Sequence, residues 1–115
     1  MADRPDERAR RIGLNQAVYR TVNERVEGIA ATLKVAPAQL LLVCECGDSA
    51  CSEQIELSHA EYEALRADPS LFAVVPGHAA ETVETVVSRG PGVEIVRKKP
   101  GEPTEVAAET DPRSG

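Results

Sequence analysis

All three cysteines of this 115-residue chain fall in one eight-residue stretch, Cys44-Glu45-Cys46-Gly47-Asp48-Ser49-Ala50-Cys51. An odd number of cysteines cannot all pair as disulfides within one chain. In a reducing compartment, clustered thiols more often bind metal or carry out redox chemistry. The Cys-x-Cys-x4-Cys spacing therefore predicts a metal site in a cytoplasmic protein, and it requires a tight loop that turns three thiolates toward one ion.

The sequence also leaves other interpretations of the cysteines open. They could form a thiol-redox cluster without metal, or pack as small apolar side chains. An iron–sulfur cluster held by three thiolates and an imidazole is a further alternative, less favoured than zinc. The clustering of all three thiols in one loop favours the metal site over each alternative.

The residues on either side of the cysteines predict an antiparallel hairpin. Leu40-Leu41-Leu42-Val43-Cys44 has the length and composition of a buried strand, and Glu53 to Leu57 alternates polar and apolar residues. Cys44 and Cys46 are two residues apart, so in an extended strand their side chains point the same way. Gly47 permits the turn that carries the chain on to Cys51. The tip of the hairpin is therefore the expected position of the metal.

Tetrahedral zinc needs a fourth ligand, and the chain offers only two histidines. His59 opens a predicted helix just after its capping residue, Ser58, and is expected to be solvated. His78 follows a predicted buried strand and a Pro-Gly turn, at the end of the sheet where the hairpin tip also lies if the strands are adjacent. We therefore predict that Cys44, Cys46, Cys51 and His78 bind one Zn²⁺ per chain.

Other patterns complete the predicted order of elements. Apolar residues recur at steps of three and four from Leu14 to Leu33, which predicts one stripe of an amphipathic helix ending at Val35-Ala36-Pro37. Ser58 and Glu61 form a capping box that starts a short helix with Tyr62 and Leu65 inward. The remaining predictions are a buried strand at 71–75, a helix at 80–89 and a final strand that begins at Val93 and ends at the basic Arg97-Lys98-Lys99.

The predicted order is α-β-β-α-β-α-β, an α+β fold with a small mixed sheet of about four strands and helices on one face. The metal site lies at the hairpin tip. One domain is expected at residues 13–99. Residues 1–12 and the Pro- and Glu-rich residues 100–115 are predicted to be disordered, because they contain too little periodic apolar surface to bury.

The charge and composition of the chain disfavour two classes of function, nucleic-acid binding and a role in a membrane. A net charge of -6, a pI of about 4.9 and no Trp disfavour nucleic-acid binding. No apolar run has the length of a signal peptide or a membrane span, so no role in a membrane is expected. Several arginines near the N-terminus are interleaved with acidic residues, and we interpret this segment as a solvated chain end. The alternative is a contact with an anionic partner. The arginines are Arg4, Arg8, Arg10 and Arg11.

An enzymatic role is disfavoured, though the sequence does not decide it. Recognised catalytic motifs such as H-E-x-x-H do not occur, and three thiolates donate enough charge to lower the Lewis acidity of zinc. Glu45, Asp48 and Glu53 could supply a base but are interpreted as solvated loop residues. Two hypotheses follow: a zinc-stabilised interaction or regulatory module with a protein partner, or a thiol-redox or metal-responsive sensor.

The stretch from Val43 to His78 resembles a group of short, functionally uncharacterised bacterial proteins. The shared pattern is a C-x-C-x4-C knuckle, then I-x-L-[ST]-x-x-E-Y-E, then L-R-x-x-P-x-x-F-x-V-x-P-G-H. The resemblance covers most of residues 14 to 98 and implies that His78 belongs with the cysteines. It implies no activity. The matching residues are Cys44, Cys46, Cys51, Ile55, Leu57, Ser58, Glu61, Tyr62, Glu63, Leu65, Arg66, Pro69, Phe72, Val74, Pro76, Gly77 and His78.

Overall fold

Three helices and five strands make up the computed structural model, which describes residues 5–32 and 39–113, with side chains described for 7–30 and 39–113. This arrangement confirms the α+β class. In chain order the elements are α1 (Pro5–Thr32), β1 (Leu40–Val43), β2 (Gln54–Leu57), α2 (His59–Arg66), β3 (Leu71–Val74), β4 (Glu84–Gly90), β5 (Val93–Lys98) and α3 (Glu102–Glu109).

The strands form two antiparallel sheets where the sequence predicted one mixed sheet. β1 and β2 are the predicted hairpin, with Leu40 opposite Leu57 and Val43 opposite Gln54. The other sheet has the order β3-β5-β4. The two sheets meet at the cysteine loop, where the amide of Glu45 donates to the carbonyl of Ala73 at 2.9 Å. The connection between β1 and β2 therefore lies against β3.

The helix predicted at residues 80–89 is wrong, because β4 occupies Glu84–Gly90 and pairs with β5. Thr85, Val86 and Val87 are β-branched, and such side chains favour an extended backbone over a helix. The Pro91-Gly92 turn, with φ of +77° at Gly92, brings β5 alongside β4 at once. The antiparallel pairing of β4 with β5 therefore outweighs the helix-like spacing of the valines.

Helix α1 forms where it was predicted, but most of its apolar stripe does not face the core. Within the stripe, Val26 is half-buried and packs against the core. Leu14, Val18, Val22 and Ile29 are 45%, 62%, 41% and 60% exposed. The buried face is polar and carries Gln16, Arg20 and Asn23 instead. This face packs against the cysteine loop, whose backbone groups need hydrogen-bond partners that apolar side chains cannot supply. Leu33 and the predicted helix end at Val35-Ala36-Pro37 lie outside the described residues.

Asn23 shows how this polar contact is made. Its side-chain oxygen accepts from the amide of Val43 at 2.8 Å, and its side-chain nitrogen donates to the carbonyl of the same residue at 3.0 Å. Gln16 donates to the carbonyl of Glu45 at 2.9 Å. These three bonds join α1 to the chain just before and within the cysteine loop, and so they fix the loop against the helix.

Both chain ends differ from the predicted disorder. α1 begins at Pro5, and α3 places Val106 at 0% and Ala107 at 4% exposure. Val106 fills a notch at Gly13, where a Cβ atom would lie 2.7 Å from the valine methyl. This apolar contact contributes to the docking of a helix that the composition of the tail does not predict. Residues 1–4 and 114–115 lie outside the described residues.

The core divides into two apolar clusters, one on each side of β3. Tyr62 and Leu65 face inward as predicted, and the capping box at Ser58 is confirmed by bonds of 3.0 and 2.8 Å. Among the described residues no helix has the length and apolar character needed to span a membrane. The clusters contain Leu40, Leu42, Ile55, Leu57, Tyr62, Leu65 and Ala73, and Cys44, Cys46, Phe72, Val74, Val96 and Ala107.

Candidate metal centre

The structure brings Cys44, Cys46, Cys51 and His78 together, with their ligand atoms all within 4.8 Å of one another. The Sγ atoms of Cys44 and Cys51 each lie 3.7 Å from Nδ1 of His78. In a tetrahedral zinc site, bonds of about 2.3 Å to sulfur and about 2.05 Å to nitrogen place those two atoms roughly 3.6 Å apart. The spacing of the donor atoms therefore fits an ion of this kind.

The loop reaches this geometry through the alternation of an extended chain and one glycine. Cys44 and Cys46 point to the metal side, and Glu45 between them points to the opposite side. Gly47 has φ of +79°, and a Cβ atom on it would lie 2.9 Å from the backbone oxygen of Ile12. The loop can therefore approach α1 this closely only with glycine at position 47.

The residues around the ligands orient them for metal binding. Nε2 of His78 lies 2.8 Å from Oε2 of Glu53, a contact that favours the hydrogen on Nε2 and turns Nδ1 toward the sulfurs. The amide of Val75 donates to Sγ of Cys44 at 3.2 Å. A histidine held by a carboxylate and a cysteine sulfur that accepts from a backbone amide are typical surroundings of bound metal.

Burial makes the site costly to ionise without a cation. Cys44 is 1% and Cys46 is 5% exposed, whereas Cys51 and His78 are half-buried. Burial raises the pKa of the Cys44 thiol well above its ordinary value and also raises the pKa of Cys46. At neutral pH both thiols are therefore protonated unless a nearby cation stabilises the thiolates, and metal binding would release protons from them.

Of the three carboxylates interpreted as solvated, only Asp48 is a plain loop residue; it is exposed and accepts from the amide of Ala50 at 2.9 Å. Glu53 contacts His78. Glu45 is 0% exposed, so the interpretation is wrong for this residue. Its position between two cysteines that face the metal side places its side chain on the other face of the loop, but no sequence pattern indicates its partners.

Glu45 is held by groups from both α1 and β3. Its carboxylate accepts from Arg20 at 3.0 Å, from the side chain of Asn23 at 3.1 Å and from the amide of Ala73 at 3.1 Å. The guanidinium of Arg20 also stacks 3.7 Å from the centre of the Phe72 ring. A buried ion pair is tolerated when hydrogen bonds satisfy its remaining atoms, as they do here. The residue between two candidate ligands thus anchors the loop to the core.

A second buried ion pair joins β4 and β5 beside the first. Nζ of Lys98 lies 3.1 Å from Oε2 of Glu84, and Gln16 donates to the same oxygen at 3.2 Å. Burial lowers the pKa of Lys98, and the Glu84 carboxylate opposes that shift. Because Gln16 also donates to the backbone carbonyl of Glu45, one helical side chain contacts a residue of each ion pair, and no sequence pattern predicts this network.

His59 lies away from the cysteines, as predicted. It is exposed, with Nδ1 3.4 Å from Oε1 of Glu27, and it shares a small group of possible ligands with Glu27 and Glu63. The guanidinium of Arg113 already lies 2.8 Å from the Glu63 carboxylate. The charge of Arg113 therefore neutralises the Glu63 carboxylate. We describe these four residues as a surface ion-pair network.

Comparison of the chain with protein-family models, with curated proteins and with solved structures gave no match. The metal centre is therefore inferred from the geometry and chemistry of its own residues.

Proposed function

We propose that this chain is a zinc-binding protein in which one ion is a structural cross-link. The observation that carries the proposal is the imidazole of His78, whose Nδ1 lies 3.7 Å from two cysteine sulfurs while Nε2 is held by Glu53. Three thiolates and one imidazole favour zinc over harder ions. Four protein ligands also fill a tetrahedral site, which is typical of structural rather than catalytic zinc.

The ion would join two connections that are distant along the chain. Cys44, Cys46 and Cys51 belong to the loop between β1 and β2, whereas His78 lies 27 residues beyond Cys51, between β3 and β4. The cysteines alone would order only their loop. The bond to His78 is what would hold the hairpin against the larger sheet, and such a domain suits a small cytoplasmic interaction or regulatory module.

Elemental analysis and native mass spectrometry of the purified protein in reducing buffer test this proposal. We expect about one zinc per chain in the wild type and a loss of bound zinc in His78→Ala. The matched control is His59→Ala, which removes an exposed imidazole outside the cluster and is expected to retain the ion. Wild-type protein that stays metal-free after zinc supplementation would refute the zinc site, and equal retention in both variants would remove His78 from it.

The exposure of the cysteines supports a second candidate, a peroxide-responsive site. Cys51 is half-buried, whereas Cys44 and Cys46 are buried, so Cys51 is the thiolate that peroxide reaches first. Peroxide would convert it to a sulfenic acid with release of hydroxide. A neighbouring thiolate would then displace the second hydroxide, form a disulfide and free the metal.

Zinc release measured with a colorimetric chelator during peroxide addition separates the two candidates. A sensor releases zinc in step with disulfide formation and regains it on reduction, and Cys51→Ser abolishes the disulfide. Retention of zinc at peroxide levels that oxidise an unstructured thiol control supports the purely structural role.

A further inference from the structure

The outer surface of α1 carries an apolar stripe that nothing in the described chain covers. Leu14, Val18, Val22 and Ile29 are 45%, 62%, 41% and 60% exposed, although they lie on one side of a regular helix. The opposite side of α1 is the buried polar face. The helix therefore packs through its polar side and presents the side that normally drives packing, which marks the stripe as an interaction surface.

Two charges of opposite sign lie in line with this stripe. At 100° per residue, Glu7, Leu14, Val18 and Arg25 fall within about 40° of one another around the helix. Glu7 and Arg25 are exposed, and neither makes an ion pair with any residue that the structure describes. The later acids of α1 are engaged elsewhere, since Glu24 pairs with Arg66 and Glu27 lies beside His59. Among the α1 side chains that the structure describes, Glu7 is thus the one carboxylate beside the stripe.

We propose that the stripe binds the same stripe of a second copy, with the two α1 helices antiparallel. In the register centred on residue 16, Leu14 lies opposite the partner's Val18. The same register sets Glu7 opposite the partner's Arg25, and by symmetry this occurs twice. Each helix would contribute the segment from Glu7 to Arg25, about 27 Å long at 1.5 Å per residue. The self-complementary charges are the observation that selects a second copy as the occupant.

Other pairings of the same face lose this match of opposite charges. An antiparallel register shifted by one turn sets Glu7 opposite the partner's Ile29. A parallel pair in register sets each arginine against its own copy. Like charges directly opposite one another are unfavourable, so the charge pattern favours the register above. The contact between the two α1 helices would be short and narrow. This predicts a small interface and a dissociation constant on the order of 10 μM.

The proposal deepens the interaction role proposed above and rests on it, but it does not depend on the identity of the metal. Sedimentation equilibrium of the full zinc-loaded chain, from about 5 μM to about 1 mM, measures the dimer directly around the expected constant. Zinc content and circular dichroism are recorded for every variant. A folded, zinc-loaded protein that stays monomeric throughout this range overturns the dimer and leaves the metal centre standing.

Charge exchange tests the register. We expect Val18→Asp to abolish the dimer, whereas Val87→Asp, at a 50% exposed valine on β4, leaves it intact. Glu7→Arg and Arg25→Glu should each weaken the dimer about tenfold, because two attractive pairs become repulsive. The double variant should return to within about twofold of wild type. A double variant no better than the single variants overturns the antiparallel register.

Vesicles of phosphatidylglycerol provide the competing occupant, because an apolar stripe with flanking arginines also suits an anionic membrane. Co-sedimentation of the wild type with these vesicles, lost in Val18→Asp, together with a monomer in solution, would assign the stripe to lipid and overturn the second copy. Dimerisation in solution without co-sedimentation with the vesicles supports the second copy as the occupant of the stripe.

Discussion

The contribution of the metal cross-link to stability can be measured by removing the metal from the wild type and from His78→Ala and comparing the two losses in unfolding free energy. Cys44 and His78 are 34 residues apart, so an ion bonded to both closes a loop of that length in the unfolded chain. The chain-entropy relation for a cross-link gives about 4 kcal/mol for such a loop. His78→Ala is expected to lose bound zinc, and any ion that remains is held within the cysteine loop, where closure constrains the unfolded chain far less.

Urea unfolding at pH 7 in reducing buffer, with and without chelator, measures this contribution. We expect chelation to lower the unfolding free energy of the wild type by about 4 kcal/mol, which is a midpoint shift of roughly 2 M at a slope of about 2 kcal/mol/M. In His78→Ala the chelator effect should be much smaller. Comparing each protein with its own metal-free form removes the direct cost of losing the imidazole.

The outcome that refutes the reasoning is a chelator effect of equal size in the two proteins. The ion would then stabilise the cysteine loop alone, and the contact with His78 would contribute nothing to stability. An unchanged wild-type transition in protein shown to be metal-free would refute the structural role itself. His59→Ala serves as the control and should behave as the wild type.

Three further changes have defined outcomes. Glu53→Gln should weaken zinc binding about tenfold or more in a competition with a chelating dye, because the imidazole loses the carboxylate that orients it; unchanged affinity would count against that contact. Val106→Ala should lower the unfolding free energy by about 2 kcal/mol, since this side chain is fully buried at the Gly13 notch; a loss near zero would show that α3 is not docked. The Ser70 hydroxyl and amide, with Arg97, lower the pKa of Asp68 below 3.8, so its stabilising effect is present above that pH and is lost as pH falls through the folded-state value. The stability difference between wild type and Asp68→Asn should therefore be constant above about pH 5 and shrink in acid, and a difference that is independent of pH contradicts the shift.

The hairpin and its four candidate ligands could be predicted because their signals are local. Alternation, turn formers and cysteine spacing act over a few residues, and the Pro-Gly turn before His78 marks the end of a strand. The elements that failed depend on distant partners. The valines of β4 fit either a helix or a strand, and pairing with β5 decides between them. The docking of α3 depends on the absence of a side chain at Gly13, more than 80 residues earlier.

The buried face of α1 could not be predicted for a related reason. Hydrophobic periodicity assumes that a helix packs through its apolar side. Here the surface opposite Gln16, Arg20 and Asn23 consists of backbone amides, carbonyls and the Glu45 carboxylate, so amide and guanidinium side chains are the better fit. The nature of that surface is set by the cysteine loop, which sequence periodicity does not describe.

Glu45 has a consequence for how the ligands of this site can be identified. Its two neighbours face the candidate ion while its own carboxylate is bonded to Arg20 on the far side of the loop. Alanine scanning scored by metal content alone would therefore count Glu45 as a ligand, since its loss frees the loop that holds Cys44 and Cys46. Cobalt substitution separates the two roles. Replacing a true ligand alters the absorption bands of each bound ion, whereas replacing Glu45 should reduce how many ions bind and leave the spectrum of those that do unchanged.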